Sequence, residues 1–305
     1  MSDARTRAPR LAIDGVLLLD KPAGLSSQTA VTRVKALLNA AKAGHTGTLD
    51  PMATGLLPIA LGEATKFSGA LLDAGKSYVA ILRLGQTTTT GDLEGEITAT
   101  RSVHTSHEAI AAVLNDFRGE IVQTPPMYSA LKHAGKPLYK YAREGTQVER
   151  TPRRVTIGSL TLEDYSGGEA RIAVSCSKGT YIRVLAEDIG KALGCGACLA
   201  ALRRTGVGQL DLRDAVTLEE FGALPQAERG ARLLPVDTML ADLPVLELDQ
   251  ERAHRVAMGM AVQCEGASGS LVRIYAPGHA FLGLGVTSPP GRLQPRRLVA
   301  QRPQP

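Results

Sequence analysis

GHTGTLDPMATGLLP, residues 44–58, is the stretch that says most about this 305-residue chain. It places one carboxylate, that of Asp50, in a run rich in glycine and threonine, and Pro51 biases the backbone at Asp50 away from helix. Loops of this kind commonly carry functional side chains on a rigid scaffold. Aspartate before proline is also common in simple turns, so the segment by itself leaves open whether Asp50 takes part in chemistry or only shapes an Asx turn.

Strand and helix patterns are interspersed on both sides of this segment. Apolar runs or alternation predict strands at residues 15–20, 78–84, 95–100 and 171–175. Helices are predicted after an N-cap at Ser26 or Ser27, after a capping box at residues 105–108, and over residues 180–193. The order lacks a strict βαβ rhythm, which favours an α+β fold over a doubly wound sheet.

The last third of the chain predicts a second, smaller unit. Residues 235–244 have the composition of a connector, and short strands are predicted at residues 271–275, 279–286 and 297–300. A β domain of about 60 residues lies near the lower size limit for independent folding. Residues 124–127 and the basic stretch after them look like an excursion from the larger unit.

Positive charge is concentrated in that excursion. The chain has 35 Lys and Arg against 30 Asp and Glu, a formal net charge of +5. Residues 131–154 hold two acids and seven cations, which are Lys132, Lys136, Lys140, Arg143, Arg150, Arg153 and Arg154. Three tyrosines, at positions 128, 139 and 141, are interleaved with them. Cations bind phosphates and aromatic rings stack on unpaired bases, so the segment suits RNA, with a solvated surface loop as the alternative.

Other familiar chemistries find little support in the sequence. There is no G-x-x-x-x-G-K-[ST] phosphate loop and no H-E-x-x-H motif. Cys195 and Cys198 form a C-x-x-C without a second ligand pair, so neither a structural zinc nor a redox site is expected. No apolar run reaches the roughly 18 residues that cross a bilayer. We therefore expect a cytoplasmic protein with no metal, no cofactor and no membrane partner.

Residues 44–58 and several further blocks resemble one family. The other blocks are residues 15–27 (GVLLLDKPAGLSS), 61–67 (LGEATKF), 126–132 (PMYSALK), 176–183 (CSKGTYIR), 193–197, 202–204 and 295–299. In this order and with these residues the chain is similar to the TruB family of tRNA pseudouridine synthases. The blocks span nearly the whole chain and are long and unusual, so a chance match is implausible.

The resemblance implies an architecture. It predicts a catalytic domain over residues 11–238, built on a mixed, mostly antiparallel sheet flanked by helices. An insertion at about residues 124–152 would clamp an RNA stem-loop, and residues 240–303 would form a PUA-like RNA-binding domain. It also implies the activity: isomerisation of uridine-55 in the T-loop of tRNA to pseudouridine, by a monomer with no obligate protein partner.

The resemblance also implies roles for individual residues. Asp50 matches the catalytic aspartate, Tyr78 an active-site tyrosine, and Arg183 the arginine paired with that aspartate. His45 is expected to occupy the space left by the flipped nucleotide, while Tyr181, Leu202 and Lys66 are expected to bind the uridine. Lys132, Lys136, Arg153 and Arg154 are expected to contact the RNA backbone from the insertion.

The implied chemistry suits these residue types. Moving uracil from an N1 to a C5 linkage is redox-neutral, and an ionised carboxylate can act at the sugar either as nucleophile or as base. A neighbouring guanidinium favours the ionised carboxylate. Two alternatives stay open: a guide-RNA-dependent synthase of the dyskerin type, and an RNA-binding or RNA-folding protein without catalysis.

Overall fold

The computed structural model describes residues 9–264 and 269–300, and in this part of the chain a mixed sheet of ten strands dominates the first 217 residues. The strands that precede the C-terminal unit are β1 (Gly15–Lys21), β2 (Ala43–His45), β3 (Thr54–Leu61), β4 (Lys76–Leu84), β5 (Gln86–Thr88), β6 (Ile97–Thr100), β7 (Gly119–Gln123), β8 (Lys132–His133), β9 (Lys136–Pro137), β10 (Arg153–Ser166), β11 (Glu169–Cys176), β12 (Ala197–Val207), β13 (Leu210–Asp211) and β14 (Val216–Thr217).

The order of the main sheet is β14-β1-β3-β12-β4-β11-β10-β7, with β2 paired to β3 and β13 to β12. The pairs β1–β14 and β3–β12 are parallel and the other pairs are antiparallel. This confirms the predicted mixed, mostly antiparallel sheet. Strand β1 is almost completely buried, which is why its sequence is a continuous apolar run rather than an alternation.

Helices cover the sheet. They are α1 (Ser27–Leu37), α2 (Ser68–Asp73), α3 (His107–Asn115), α4 (Leu138–Arg143), α5 (Ile182–Ala192), α6 (Leu218–Ala223) and α7 (Gln226–Arg229). Helices α3 and α5 pack on one hydrophobic cluster with β4, β10 and β11, while α1 and α6 pack on a second one with β1 and β3. Tyr78 and Leu202 pack against both clusters, so these helices cover one face of the sheet, as is usual in an α+β fold.

Helix starts follow the local sequence closely but not in every detail. The side chain of Ser26 accepts a hydrogen bond from the Thr29 amide at 3.1 Å, as the N-cap prediction requires. The predicted capping box at residues 105–108 is wrong by one residue. Ser106 is the N-cap and accepts from the Ala109 amide at 3.2 Å, so no Glu stands at the position that would complete the box.

The predicted strand at residues 95–100 forms, in shorter form, as β6. It pairs with β5 in a separate two-stranded ribbon rather than with the main sheet. Gly85 redirects the chain between β4 and β5 with a φ of +80°, and a Cβ there would lie 2.6 Å from the Arg101 carbonyl oxygen. After this turn the chain runs beside β12 instead of continuing along β4.

Residues 124–152 form the excursion between two paired strands. Strands β7 and β10 are antiparallel neighbours, with Gln123 opposite Arg153, so the chain leaves the sheet and returns to it at the same point. In between lie the β8–β9 ribbon and α4. We call residues 124–152 the insertion.

The C-terminal unit is a second sheet, with strands β15 (Val245–Glu247), β16 (Val262–Gln263), β17 (Leu271–Ala276), β18 (Ala280–Ser288) and β19 (Arg292–Leu298), and helix α8 (Gln250–Ala257). The strand order is β15-β17-β18-β19-β16 in the described residues. Strand β19 begins five residues earlier than the predicted strand at 297–300 and ends before it does. The predicted domain end at residue 303 lies outside the described residues.

This second sheet packs directly on the first unit. Phe281 meets Phe67 edge-on at a ring-centroid distance of 5.5 Å, and Leu284 and Val299 join the same hydrophobic cluster. The predicted connector at residues 235–244 contains a 3-10 helix, Val236–Leu240, whose Met239 and Leu240 are buried in that cluster. The connector is therefore a packed element, because its apolar residues fill the space between the two sheets. No helix in the described part of the chain is long and apolar enough to cross a membrane.

Candidate active site

A cavity of about 390 Å³ lies where the loop before β3, strands β4 and β12, the start of α5 and the root of the insertion meet. Five of the residues predicted for catalysis or uridine binding line it, namely Asp50, Tyr78, Tyr181, Arg183 and Leu202, together with Arg153, which was predicted to contact the RNA backbone. Its size falls within the range of about 300–1,000 Å³ that is usual for small-molecule sites. The fold thus brings residues from four separate sequence blocks into one pocket.

The loop that carries Asp50 is fixed by hydrogen bonds on both sides. The hydroxyl of Ser27 accepts from the Leu49 amide at 2.8 Å and donates to the Leu49 carbonyl at 3.0 Å. After the aspartate, the Pro51 carbonyl accepts from the Gly24 amide at 2.8 Å. The Ala53 amide donates to the Asp50 carbonyl at 3.1 Å, closing a turn. Asp50 therefore lies in a turn closed by its backbone carbonyl, while its side chain forms part of the cavity wall.

Gly55 is required where β3 crosses β12. Its φ is +99°, and a Cβ at this position would lie 2.3 Å from the carbonyl oxygen of Arg204. Strand β12 runs parallel to the start of β3, with Thr54 opposite Arg203 and Gly55 opposite Arg204, so it lies directly beside the end of the Asp50 loop. Gly55 therefore allows the close approach that brings Leu202 and Arg204 to the cavity.

Arg183 joins the acidic residues of the site. One guanidinium nitrogen, Nη2, lies 3.0 Å from Oδ2 of Asp50, and the other, Nη1, lies 3.5 Å from Oδ2 of Asp92. The guanidinium also donates to the carbonyls of Thr90 at 3.1 Å and Tyr128 at 2.7 Å. Arg183 is only 6% exposed, so these contacts fix it in one orientation.

Asp50 is open toward the cavity while Asp92 is enclosed. The side chain of Asp50 is 41% exposed and that of Asp92 is 4% exposed. Asp92 accepts from the Thr90 hydroxyl at 2.5 Å and from the Glu94 amide at 3.1 Å. Asp92 therefore holds the far side of the guanidinium, and Asp50 is the carboxylate that a ligand in the cavity can reach.

Two opposing effects act on the Asp50 carboxyl. Burial in the protein raises the pKa of Asp50 above its ordinary value, and the Arg183 guanidinium acts in the opposite direction. The nearby negative charge of Asp92 adds to the upward shift of the pKa. Arg183 is therefore the main contact that favours the ionised form of Asp50, in a site whose net effect is to raise the pKa of that carboxyl.

Tyr78 forms part of the cavity from strand β4. It packs between the two hydrophobic clusters, together with Leu202. Burial raises the pKa of its phenol, although a hydrogen bond from Arg204 opposes that shift. The ring is therefore a neutral, largely enclosed aromatic surface at neutral pH.

Tyr181 is the N-cap residue of α5, two positions before Arg183. Its ring faces the guanidinium of Arg153, whose Cζ lies 4.9 Å from the ring centroid. Arg153 itself lines the cavity, so it does not lie on the outer surface of the insertion where a backbone-binding cation was expected. The reason is the β7–β10 pairing, which places Arg153 at the root of the insertion next to α5.

The remaining predicted residues lie outside the cavity wall. His45 ends β2, and its Nδ1 accepts from the amide of Gly47, which does line the cavity, at 3.3 Å. Burial lowers the pKa of His45, so its imidazole is neutral. Lys66, expected to bind the uridine, does not line this cavity. Its ammonium contacts Glu63 at 2.6 Å and the Leu298 carbonyl at 3.0 Å, because the 3-10 helix Gly62–Lys66 packs against β19.

The other cations predicted to contact RNA lie on the insertion or next to it. Lys132 is exposed on β8, and Lys136 is paired with Glu144 and stands over the Tyr141 ring at 4.5 Å. Arg154 is 76% exposed on β10 and is paired with Glu120. These three side chains are on the outside of the molecule, where a polyanion could reach them.

Within residues 9–264 and 269–300 no group of three or more His, Cys, Asp or Glu side chains has the arrangement of a metal site. Cys195 and Cys198 are both buried, and burial raises the pKa of the Cys198 thiol. A buried neutral thiol is a weak metal ligand.

Comparison with known proteins identifies the family. Residues 35–182 match the model of the TruB family pseudouridylate synthase N-terminal domain, and residues 183–241 and 244–299 match two models of TruB C-terminal domains. A protein of Methylobacillus flagellatus named tRNA pseudouridine synthase B is 55% identical over 290 residues, covering 95% of this chain and 96% of the relative. The chain belongs to the TruB family.

Further relatives and solved structures agree with this membership. A tRNA pseudouridine synthase B of Burkholderia mallei is 54% identical over 302 residues, or 97% of each chain. Among solved structures, a chain of a Cbf5-Nop10-Gar1 complex superposes with a TM-score of 0.70 at 30% identity, covering 90% of this chain and 79% of that one. The TruB fold assigned from the sequence is therefore confirmed.

Two further cationic residues line the cavity, and neither was assigned a role from the sequence, although Arg204 belongs to the block at residues 202–204. Arg204 is buried, donates to the Leu56 carbonyl at 2.8 Å and the Gly47 carbonyl at 3.2 Å, and lines the cavity. Lys76 also lines the cavity, and its ammonium donates to the carbonyls of Leu71, Leu72 and Ala74 at 2.7–3.0 Å. Burial lowers the pKa of Lys76 to about 8. A charged residue within a strand is normally exposed, so only the three-dimensional packing reveals Arg204.

Proposed function

We propose that this protein isomerises uridine-55 in the T-loop of tRNA to pseudouridine. The observation that carries the proposal is the Asp50–Arg183 ion pair at the wall of a cavity that also contains Tyr78, Tyr181 and Leu202. The relatives that match this chain over 95–97% of its length are named tRNA pseudouridine synthase B, which supports tRNA as the substrate.

Asp50 lies in the wall of a cavity, so a base in the T-loop has to leave its stack to reach it. We infer that the flipped uracil is held between the aromatic face of Tyr78 and the side chains of Tyr181 and Leu202. Base-to-aromatic stacking contributes about 1–3 kcal/mol per base in other nucleic-acid complexes, and does not depend strongly on sequence. Stacking therefore offsets part of the free energy needed to flip the base.

The chemical step rearranges bonds without oxidation or reduction. The N1–C1′ bond breaks, the uracil turns over, and a C5–C1′ bond forms; the proton on C5 is lost and N1 gains one. The ionised Asp50 acts at the sugar as nucleophile or as base, and Arg183 holds it ionised and aimed at the cavity. Because burial keeps the Tyr78 phenol neutral, we assign Tyr78 to stacking rather than to proton removal as a phenolate.

The wider arrangement supports the same proposal. The insertion and its exposed cations would follow the phosphates of the T-arm, and residues 11–238 and 240–303 would act as a catalytic and a PUA-like domain. We propose that the protein acts in the cytoplasm as a monomer, with no cofactor, metal or obligate protein partner. His45 would fill the position left by the flipped nucleotide, since it adjoins the cavity through Gly47.

A guide-dependent synthase is the closest alternative, because the fold resembles that of the chain in a Cbf5-Nop10-Gar1 complex. The test uses purified protein and an unmodified tRNA transcript, without guide RNA and with EDTA. Pseudouridine at position 55, detected by mass spectrometry of nuclease fragments, supports the proposal. A transcript with cytidine at that position serves as the control. Modification only after a guide RNA is added, or binding without modification, would overturn the proposal in favour of one of the two alternatives.

A further inference from the structure

Two residues at the root of the insertion contact Tyr181. Gln123 is the last residue of β7 and Arg153 is the first of β10, so they flank residues 124–152 and face each other across the strand pair. Both are turned inward: Gln123 is only 1% exposed, and Arg153 lines the cavity. Neither contact has a part in the chemistry described above.

Gln123 holds the backbone of Tyr181 with both ends of its amide. The Tyr181 amide donates to Oε1 of Gln123 at 3.0 Å, and Nε2 of Gln123 donates to the Tyr181 carbonyl at 3.2 Å. This pair of bonds imitates the pairing of two strands, and it fixes both backbone groups of one residue. Tyr181 is the N-cap of α5, where a backbone N–H has no partner within the helix, and the Gln123 side chain supplies that partner.

Arg153 holds the ring of the same residue. Its Cζ lies 4.9 Å from the centroid of Tyr181, and its Nη2 donates to the carbonyl of Gly179. Gly179 has a φ of +81°, and a Cβ there would lie 3.2 Å from the Arg153 Cζ, so this glycine permits the close approach. A planar guanidinium can stack on a ring and donate at its edge at the same time, which an ammonium cannot.

We propose that Gln123 and Arg153 are positioning residues that fix Tyr181, and through the first turn of α5 also Arg183, from the root of the insertion. The inference rests on the proposed function, in which Tyr181 helps to bind the uracil and Arg183 holds Asp50 ionised beside it. It changes the expected role of Arg153, from a phosphate contact to a support of the pocket. It also links the insertion that grips RNA with the residues that carry out the reaction.

The first test replaces Gln123 with Met, which has a similar length but no hydrogen-bonding amide, and with Glu, which can accept from the Tyr181 amide but cannot donate to its carbonyl when ionised. We expect the single-turnover rate at saturating tRNA to fall about tenfold or more in Gln123→Met and less in Gln123→Glu, with a tRNA Kd within about threefold of wild type. The control is Gln209→Met, which removes a glutamine side-chain hydrogen bond to Asp242 outside the cavity. A wild-type rate in Gln123→Met would overturn the assignment of Gln123.

The second test separates the two roles of Arg153. Arg153→Lys keeps the charge, so a phosphate contact predicts a nearly unchanged rate and salt dependence of binding. The positioning role predicts a rate lowered about tenfold with the salt dependence unchanged, because the stacked fork is lost. Arg171→Lys on the neighbouring strand β11 is the control, since it changes an arginine whose ion pair with Glu163 is exposed. A wild-type rate in Arg153→Lys would overturn the role of Arg153.

A third measurement needs no RNA and no activity. The Tyr181 amide should exchange with solvent at least about tenfold faster in Gln123→Met than in wild type, by hydrogen-exchange NMR, while the Leu82 amide in the sheet core keeps its protection. Unchanged exchange at Tyr181 would overturn the anchor itself. Faster exchange in a protein that modifies no tRNA would retain the anchor and refute only the proposed function.

Discussion

Asp50 is the residue on which the proposed chemistry depends most directly, since it is the acidic group that the cavity exposes next to Arg183. Asp50→Asn keeps the size of the side chain and removes its charge. We expect turnover to be abolished while the tRNA Kd stays within about tenfold of wild type, or about 1.4 kcal/mol. Pseudouridine formation and filter binding measure the two quantities. Residual activity above a few per cent of wild type would contradict the assignment.

The ionisation of Asp50 gives a prediction about pH. Burial raises the pKa of Asp50 and Arg183 lowers it, and the reaction needs the ionised carboxylate. In Arg183→Met the opposing charge is gone, so the pKa of Asp50 rises further. The rate should then begin to fall at a higher pH as the solution is acidified. Single-turnover rates across a pH series give the position of this acid limb.

Arg183→Lys is the comparison for this pH series. It retains a positive charge near Asp50 but cannot reach Asp50, Asp92 and the two carbonyls together. We expect its acid limb to stay closer to that of wild type than the limb of Arg183→Met, although its rate on the plateau is lower. If both variants keep the wild-type acid limb, Arg183 does not control the ionisation of Asp50.

At the scale of elements, the close parallel pairing of β3 and β12 connects the Asp50 loop with the rest of the cavity. Gly55→Ala would place a Cβ 2.3 Å from the Arg204 carbonyl oxygen, at a φ that side chains other than glycine avoid. We expect the free energy of unfolding to fall by about 3 kcal/mol or more, with loss of activity. Urea unfolding followed by circular dichroism measures the change.

A second glycine provides the matched control for Gly55. Gly69 lies in helix α2, and a Cβ there would meet nothing within 4 Å. Gly69→Ala should therefore be neutral or stabilise the protein by up to about 1 kcal/mol, because alanine favours the helix. Equal destabilisation by the two substitutions would mean that the strand crossing does not require Gly55.

The sequence predicted those elements whose character is local. The apolar run of β1 and the periodicity of α5 depend on burial along one segment, and the Ser26 cap depends on three neighbouring residues. The placement of Asp50, Tyr78, Arg183, Tyr181 and Leu202 in one cavity followed from a resemblance that spans the whole chain. Their roles in the reaction remain predictions for the experiments above.

What the sequence did not predict depends on contacts between distant segments. Arg153 and Lys66 were expected at RNA-binding and uridine-binding positions from their basic surroundings or from a block match. The β7–β10 register turns Arg153 into the cavity, and the packing of β19 on the 3-10 helix Gly62–Lys66 occupies Lys66. Arg204 was missed for the same reason, since its burial arises where β3 and β12 cross.

At the scale of the whole molecule, the two sheets form one body through a polar contact as well as an apolar one. Glu63 accepts from the Ala300 amide at 2.5 Å, and Arg297 donates to the Lys66 carbonyl at 3.2 Å. These bonds join the segment that follows β3 to β19 and to the residues just after it. The C-terminal sheet is thereby held in a fixed orientation beside α2, whose C-terminal end reaches the cavity through Leu72.

The distribution of charge over the molecule gives the last prediction, which concerns how tRNA is held. If the exposed cations of the insertion follow phosphates, the affinity for tRNA must fall steeply with salt through release of counterions. The slope of log K against log[salt] is about −0.7 to −0.9 per neutralised phosphate. Replacing Lys132 and Lys140, both exposed on the insertion, with Ala should flatten that slope by roughly 1–2 units. Saturating tRNA should restore the rate, so the loss appears in KM rather than in kcat.

Lys42→Ala combined with Lys191→Ala removes the same charge from exposed positions outside the insertion and should change the slope less. Equal slopes in wild type and in the insertion variant would make this tract a solvated surface and move the RNA contact to the arginines of β19.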